Sequence, residues 1–264
     1  MSAPGAGPAP EGPRQLLVLH HAGGSAGPYH RLVRALGARG REAVAVDLPG
    51  RGRSAGEPPR HSMAEAVNHL VEVVTRDFEP GCALFGHSMG GLIIFETARE
   101  LERLGRPAGW AGVSGCLSPA AAAADPATDR HLWSDDRLTE YVRELGGTPE
   151  EALRNPELRD YLLGVLRADL AVIDGHRATA HAQLRRTPGA VFCGLADPVA
   201  SPDGWCRAFR HPMTVHAFAG GHFYLFDRVD EVADRIDAEL GRLRPGGPEP
   251  GAPSGGGGTA RPAG

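Results

Sequence analysis

The residues best suited to chemistry form the pentapeptide Gly86-His87-Ser88-Met89-Gly90, which lies between the apolar segments 82–85 and 92–98. Between a short strand and a long helix, the glycines of a G-x-S-x-G sequence permit a turn too tight for a Cβ, and the serine hydroxyl is exposed where the strand ends. The helix dipole favours negative charge at this position. A chain with 37 glycines can contain such a pentapeptide by chance, but the flanking segments favour Ser88 as a nucleophile.

A serine nucleophile of this kind requires a histidine base and a carboxylate that orients it, in the chain order Ser, Asp or Glu, His. Asp197 follows an apolar segment at 190–193, and His222 follows another at 214–218. Both residues therefore belong to loops after predicted strands. The sequence predicts Ser88, Asp197 and His222 as a catalytic triad, and the alternative for Asp197 is a carboxylate that caps a turn or helix.

Other titratable residues compete for these roles, since the chain has 12 histidines. His211 and His216 lie before or within the last predicted strand. His20 and His87 lie too close to the nucleophile, in its own loops. Asp203 belongs to a helix predicted to begin at Ser201-Pro202.

An oxyanion hole requires two backbone N–H donors, one after the nucleophile and one in the loop after the first core strand. The first donor is predicted to be Met89. The second belongs to the loop His21-Ala22-Gly23-Gly24-Ser25-Ala26, with Ala22 as the predicted donor and Gly23 as the alternative. The glycines also suit a tight strand-to-helix turn, and both interpretations can hold at once.

Six short apolar segments rich in β-branched residues alternate with longer helical ones. Strands that are apolar on both faces are typical of a parallel sheet covered by helices, so the predicted fold class is α/β. Helices are predicted from Ser62, where Glu65 completes a capping box, to about residue 78, and over 90–104 behind the nucleophile. The predicted strands are 15–19, 42–47, 82–85, 110–114, 190–193 and 214–218.

The segment 117–186 interrupts this alternation because it contains no convincing strand. Helix starts are predicted at Ser134, at Thr148-Pro149 with Glu151 completing a second capping box, and at Asn155-Pro156. A Leu- and Tyr-rich insertion between two strands predicts a helical lid over the carboxyl edge of the sheet, where α/β folds bind ligands. The alternative is an ordinary surface insertion that does not cover the site.

Composition predicts one domain over about 14–244 between disordered tails, 1–13 and 245–264, that are rich in Gly, Pro and Ala. The first segment lacks the charged and apolar regions of a signal peptide, so a cytoplasmic protein without membrane association is expected. The net charge of −4 gives no indication of nucleic-acid binding. Without an H-E-x-x-H sequence, and with no third ligand beside His20-His21, neither a metal nor a cofactor is expected.

Six motifs stand out along the chain: His21-Ala22-Gly23-Gly24-Ser25-Ala26, Leu48-Pro49-Gly50-Arg51, Gly86-His87-Ser88-Met89-Gly90, Glu144-Leu145-Gly146-Gly147-Thr148-Pro149, Leu166-Arg167-Ala168-Asp169 and Gly220-Gly221-His222-Phe223. Together they resemble the stand-alone type II thioesterases that accompany polyketide and nonribosomal peptide synthases. The resemblance covers about residues 15–243 and departs from the family pattern at His20, where proline is usual, and at Gly91, where alanine is common. The motifs of the insertion are more specific than the pentapeptide around the serine, which all α/β-hydrolases share.

The resemblance implies an α/β-hydrolase fold and hydrolysis of acyl groups from the phosphopantetheine arm of acyl or peptidyl carrier proteins, which clears misprimed or stalled synthases. His222 is then expected to take the Ser88 proton as the serine attacks the thioester, and water to hydrolyse the acyl-serine. Three alternatives share the scaffold: a carboxylesterase or lipase, a thioesterase that releases the finished product, and a non-catalytic binding protein.

Carrier proteins are generally acidic around the arm, so a cationic rim is expected at the mouth of the site. The segment 29–60 holds seven Arg against three acidic residues, whereas 117–186 holds nine Arg against twelve. Arg51 and Arg53 are predicted to contact the carrier protein, and Gly23 is predicted to contact the substrate. The alternative is a solvated loop whose arginines bind water or neighbouring carboxylates.

Overall fold

A parallel sheet forms the centre of the computed structural model, which describes residues 12–124, 129–146, 148–177, 179–200 and 202–243. The strands are β1 (Gln15–Leu19), β2 (Glu42–Val46), β3 (Ala83–His87), β4 (Trp110–Ser114), β5 (Gly189–Gly194) and β6 (Thr214–Phe218). Their order is β2-β1-β3-β4-β5-β6, and every neighbouring pair is parallel. The predicted α/β class is confirmed. The predicted tails lie outside the described residues except for residues 12 and 13.

Helices connect the strands and cover both faces of the sheet. No helix in the described ranges combines the length and the apolar character needed to cross a lipid bilayer. The helices of these ranges are α1 (His30–Gly37), α2 (Met63–Asp77), α3 (Met89–Arg103), α4 (Pro119–Ala124), α5 (Asp135–Leu145), α6 (Glu150–Arg154), α7 (Pro156–Asp174), α8 (Tyr224–Asp227) and α9 (Val229–Gly241).

The two faces of the sheet pack against different helices, because successive side chains along a strand point to opposite sides. On one face Leu17 and Leu84 join the apolar side chains of α2 and α3 in a buried cluster. On the other face Leu16 and Phe85 join those of α1 and α9. The central strand β3 is buried along its whole length, so the residue that follows it has a rigid support.

Three of the predicted helix starts are formed by the expected side chains. Ser62 and Glu65 make the reciprocal bonds of a capping box at α2. The side-chain oxygen of Ser134 accepts a hydrogen bond from a backbone N–H in the first turn of α5, and that of Asn155 accepts one in the first turn of α7. The second predicted capping box is wrong. Helix α6 begins at Glu150 with Pro149 at the N-cap, which leaves Thr148 one residue too early to cap it.

The segment between β4 and β5 contains α4 to α7, called the helical insertion below. Its described part contains no strand. Leucines on the facing sides of α5 and α7 form a separate small core, consisting of Leu138, Leu163, Leu166 and Leu170. Partly buried Ala22, in the loop after β1, packs against this core, so the insertion lies over the carboxyl end of β1.

The helix predicted to begin at Ser201-Pro202 is not formed in the described residues, which exclude residue 201. Asp203 lies in a turn, and Gly204 has a φ of 87°. A right-handed helix cannot continue through a residue in this left-handed conformation. Only a short 3-10 helix, Trp205–Arg207, follows it.

Candidate active site

Ser88 forms the sharp turn between β3 and α3. Its φ of 57° and ψ of −121° make it the one non-glycine residue with a positive φ in the described ranges. Such a conformation costs on the order of 1–3 kcal/mol and persists only where the surroundings enforce it. Here the N–H of Ser88 donates to the carbonyl of Ser114, at the end of β4, over 2.7 Å. The sheet thus holds the serine in a strained turn at its carboxyl edge.

The glycines of the pentapeptide are required by close backbone contacts on both sides of Ser88. A Cβ on Gly86 would lie 2.2 Å from the carbonyl oxygen of Gly90, and one on Gly90 would lie 2.5 Å from that of His20. Because these neighbours are backbone atoms, they cannot move aside as a flexible side chain would. The missing side chains therefore let the start of α3 pack directly on the ends of β1 and β3.

His222 and Asp197 lie on adjacent loops and are joined by hydrogen bonds. His222 Nδ1 lies 3.0 Å from Asp197 Oδ1 and 2.9 Å from Oδ2. Burial of Asp197 acts to raise its pKa, but bonds from His222 and from the N–H groups of Val199 and Ala200 outweigh burial, so the pKa lies below its ordinary value. The carboxylate therefore remains ionised and fixes which imidazole nitrogen carries the proton.

A cavity of about 640 Å³ connects Ser88 and His222 with the helical insertion. Its wall includes apolar side chains from α3 and from the insertion, among them Leu92, Leu162 and Leu166, and also polar side chains of the insertion, among them Arg130 and Asp174. The apolar part of this wall suits the acyl group of a substrate, and Ser88 and His222 line the same cavity.

The family model described as "Thioesterase domain" matches residues 14–240. The chain belongs to this thioesterase family. The thioesterase PikA5 of Streptomyces venezuelae is 36% identical over 239 residues, which are 88% of this chain and 83% of that protein. The shared region therefore covers more than four fifths of each protein.

Solved structures that resemble this chain belong to the same family. The type II thioesterase BorB from the borrelidin biosynthetic cluster matches this thioesterase with a TM-score of 0.75 and 33% identity, over 90% of this chain and 95% of that one. ClbQ, from the colibactin NRPS/PKS pathway, matches with a TM-score of 0.78 and 26% identity, over 87% and 97% of the two chains. The resemblance to type II thioesterases is thus confirmed, and the chain is a hydrolase of thioesters.

The loop after β1 in this thioesterase is held by several of its own polar groups. The carbonyl of His21 accepts from Gly24 N–H over 3.1 Å and lies 2.8 Å from His20 Nδ1. Gly23 N–H donates to Asp169 Oδ2 over 2.7 Å, so this alternative donor for the oxyanion is already used. Ala22 lines the cavity, and its N–H has no hydrogen-bond partner in the described part of the chain.

Met89 supplies the other predicted donor. It is the first residue of α3, and the N–H groups of the first helical turn have no acceptor within the helix. Met89 also lines the cavity beside Ser88. The helix dipole adds partial positive charge at the same end of α3.

The other histidines near Ser88 are buried and poorly suited to act as bases. The pKa of His20 is lowered to about 4, mainly by burial and secondly by the charge of Arg51. The pKa of His21 is lowered to about 3, mainly by burial and secondly by the charge of His20. Burial also keeps the pKa of His87 well below its usual value. These imidazoles are neutral near pH 7, and no group of three His, Cys, Asp or Glu side chains in the described ranges can hold a metal ion.

The prediction that Arg51 contacts a carrier protein is wrong. Arg51 is only 2% exposed, and its guanidinium binds the carboxylate of Asp169 in a bidentate ion pair. A guanidinium whose donors are directed to a buried carboxylate cannot face a partner. Arg53, by contrast, is exposed, and only its backbone N–H is fixed, by Asp47 Oδ2 over 3.1 Å.

Asp169 is a site residue that the sequence reasoning did not single out. It belongs to the motif Leu166-Arg167-Ala168-Asp169 in α7, which contributed only to the family resemblance. An acidic residue among leucines on a helix gives a signal of its own, because a buried carboxylate needs partners. The sequence does not say which partners these are, since Gly23 and Arg51 lie more than a hundred residues away.

Proposed function

We propose that this thioesterase hydrolyses acyl groups held as thioesters on the phosphopantetheine arm of acyl or peptidyl carrier proteins. The reaction proceeds through an acyl-serine on Ser88, with His222 as the base and Asp197 as the group that orients His222. In a polyketide or nonribosomal peptide synthase this activity removes acyl groups that block the carrier protein.

In the first half-reaction Ser88 Oγ attacks the thioester carbonyl while Nε2 of His222 takes the hydroxyl proton. The tetrahedral intermediate then collapses as the C–S bond breaks. The thiol of the arm leaves with the proton, and Ser88 carries the acyl group as an ester. Asp197 stabilises the imidazolium that exists between the two proton transfers.

In the second half-reaction a water molecule attacks the ester carbonyl and gives its proton to His222. The C–O bond to Ser88 breaks, the serine regains a proton from His222, and the carboxylic acid leaves. In both halves the negative oxygen accepts hydrogen bonds from the N–H groups of Ala22 and Met89. The loss of one such donor typically costs about 10²–10³ in kcat.

The observation that carries this proposal is the hydrogen bond between His222 and Asp197, together with a strained Ser88 that lines the same cavity as His222. A binding protein on the same scaffold does not need a strained serine next to an oriented histidine. The leucines in the wall of the cavity support an acyl group as the part of the substrate that enters, and we propose that the helical insertion acts as a lid over it.

The test is turnover by wild type and by Ser88→Ala of one acyl group presented on a carrier protein, on coenzyme A, on N-acetylcysteamine and as an oxygen ester. We expect the thioesters to be hydrolysed faster than the ester, and the carrier protein to give the highest kcat/KM. Ser88→Ala is expected to lower kcat by about 10⁴–10⁶, with unchanged thermal unfolding. A fluorophosphonate is expected to label Ser88 alone.

Each contrary result identifies an alternative. Near-native turnover by Ser88→Ala removes the mechanism. Faster hydrolysis of the oxygen ester indicates a carboxylesterase or lipase. Preference for the completed product of a synthase over short or aberrant acyl groups indicates a product-releasing thioesterase.

A further inference from the structure

A buried carboxylate connects the helical insertion with the loop after β1. Asp169, near the end of α7, is 1% exposed. Its Oδ2 accepts from Gly23 N–H over 2.7 Å and also binds Nη1 of Arg51, while its Oδ1 accepts from Nη2 of Arg51 over 2.7 Å. Three segments that are far apart in the sequence thus meet at one carboxylate.

This carboxylate fixes one of the two peptide groups that flank the Cα of Ala22. The peptide group between residues 21 and 22 is held through the carbonyl of His21, which accepts from Gly24 N–H. The peptide group between residues 22 and 23 is held by the bond from Gly23 N–H to Asp169. Because a trans peptide is planar, the bond to the His21 carbonyl sets the direction of Ala22 N–H within the first group. The bond from Gly23 N–H to Asp169 fixes the second group and so restrains the backbone dihedrals of Ala22, about which the two groups could otherwise rotate.

A role in stability alone explains the pair of Arg51 and Asp169 poorly. Removing two charges from water costs several kcal/mol per ion, and apolar replacements for a buried pair are often neutral or stabilising. In addition, Nε of Arg51 is buried and has no hydrogen-bond partner in the described part of the chain. The other donors of Arg51 bind the Asp169 carboxylate, and Nη1 also donates to the carbonyl of Gly24 over 3.5 Å, so the guanidinium holds both the carboxylate and the loop after β1.

We infer that Asp169 is a positioning residue for the hydrolytic reaction: through Gly23 N–H it aims Ala22 N–H at the developing oxyanion. Arg51 holds the carboxylate in place and neutralises a negative charge that otherwise lies close to the oxyanion. The helical insertion therefore completes the oxyanion hole as well as lining the acyl cavity. The inference rests on the proposed function, because it assigns Ala22 N–H to the oxyanion.

The decisive variant is Arg51→Leu/Asp169→Leu, which removes both charges and leaves neither one buried alone. Asp169→Asn is a milder variant, since its amide oxygen can still accept a hydrogen bond from Gly23 N–H. A matched control is Arg41→Leu/Asp237→Leu. Arg41 is also a buried arginine, with Nε 2.7 Å from Asp237 Oδ1, but the pair joins the start of β2 to α9, away from the cavity.

Each variant is assayed for thermal unfolding and for kcat and KM on an acyl-N-acetylcysteamine. We expect the Arg51/Asp169 double variant to unfold near the wild-type temperature, with kcat lowered about 10²-fold and KM changed less than about threefold. Asp169→Asn is expected to lose less than tenfold in kcat. The Arg41/Asp237 control is expected to keep wild-type kcat whatever its stability.

A second readout separates positioning from a general loosening of the fold. A trifluoromethyl ketone adds to the serine and places an oxyanion in the hole, so its inhibition constant is expected to rise by the same factor as kcat/KM falls. The inhibition constant of the product acid, which places no oxyanion there, is expected to stay within about threefold.

Wild-type kcat in the Arg51/Asp169 double variant overturns the inference, and so does an equal loss of kcat in the Arg41/Asp237 control. A rise in KM at constant kcat also overturns it, because that pattern belongs to ordinary substrate binding. The proposed function fails through a different result, namely thioester turnover by Ser88→Ala or none by wild type. The two failures are therefore distinguishable.

Discussion

At the scale of single residues, the bond between His222 and Asp197 depends on two loops that are tied together by their backbones. Leu195 N–H donates to the carbonyl of Phe218 over 2.8 Å, and Ala196 N–H donates to that of Gly220 over 2.9 Å. These bonds continue the pairing of β5 with β6 beyond the strand ends. The carboxylate and the imidazole are thus brought together by the sheet itself.

The role of the carboxylate is tested by Asp197→Asn. The amide can donate a hydrogen bond to Nδ1, which moves the imidazole proton to Nε2, the nitrogen that must accept the serine proton. We expect kcat to fall about 10⁴-fold with the fold intact. Steady-state kinetics and thermal unfolding measure the two effects.

Asp203→Asn is the matched control for this change of a carboxylate to an amide. Asp203 is exposed and lies in a turn that follows the same strand, so its substitution is expected to leave kcat within about twofold. If Asp203→Asn lost more activity than Asp197→Asn, the acid of the mechanism would have been assigned to the wrong residue.

The sequence predicted the positions of Ser88, Asp197 and His222 because each belongs to a local pattern of strand followed by loop. It did not predict the burial of Arg51. An arginine in a glycine-rich loop has the same local pattern whether it points to solvent or inward, and here the deciding partner, Asp169, is 118 positions away. Contacts of that kind are set by packing between elements, which no local pattern reports.

At the scale of elements, α7 provides one wall of the cavity. Leu162, Leu166, Leu170 and Ile173 all line it and recur at spacings of three or four residues, which places them on one side of a helix. The same helix carries Asp169 near its end. One element thus bounds the acyl cavity and contacts the loop after β1.

The size of the acyl cavity is tested by Leu162→Trp. A larger side chain on the wall is expected to lower kcat/KM at least tenfold for long acyl groups and less than about twofold for acetyl or propionyl groups. Kinetics on acyl-N-acetylcysteamines of increasing length measure this selectivity.

Leu158→Trp is the control on the same helix. Leu158 is 42% exposed and does not line the cavity, so its substitution is expected to change no chain-length preference. Equal losses at every length in Leu162→Trp would show a folding defect instead of a filled cavity.

Most elements were predicted to within two residues because apolar segments and caps are local signals. Strand β3 extends to His87, two residues beyond the prediction, because Gly86 and His87 pair with Val113 and Ser114 of β4. Neither this pairing nor the order β2-β1-β3-β4-β5-β6 follows from apolar segments alone. Pairing depends on which strands the connecting helices bring together, and that is decided by packing.

At the scale of the whole molecule, the arginines of the segment 29–60 serve different purposes. Three of its seven arginines are neutralised within the chain. Arg39 pairs with Asp234 on α9, Arg41 with Asp237, and Arg51 with Asp169. The local excess of positive charge therefore offers a partner less than the sequence count indicates.

Arg53 keeps its charge available at the carboxyl edge of the sheet. It is exposed, lies in the short 3-10 helix Gly52–Ser54 after β2, and takes part in no ion pair with other described residues. The edge on which it lies is also the edge of Ser88. We therefore propose Arg53, without Arg51, as a contact for an acidic carrier protein.

The docking proposal is tested by Arg53→Glu, with Arg106→Glu as the control. Arg106 is exposed in the loop before β4, at the opposite edge of the sheet, so both variants change the net charge equally. We expect Arg53→Glu to raise KM for an acyl carrier protein about three- to tenfold, mainly through slower association, and added salt to weaken the wild type in the same way. Turnover of an acyl-N-acetylcysteamine is expected to stay unchanged in both variants. Equal effects of the two substitutions would indicate attraction by net charge alone, and a loss on the small thioester would assign Arg53 to the scaffold of the site.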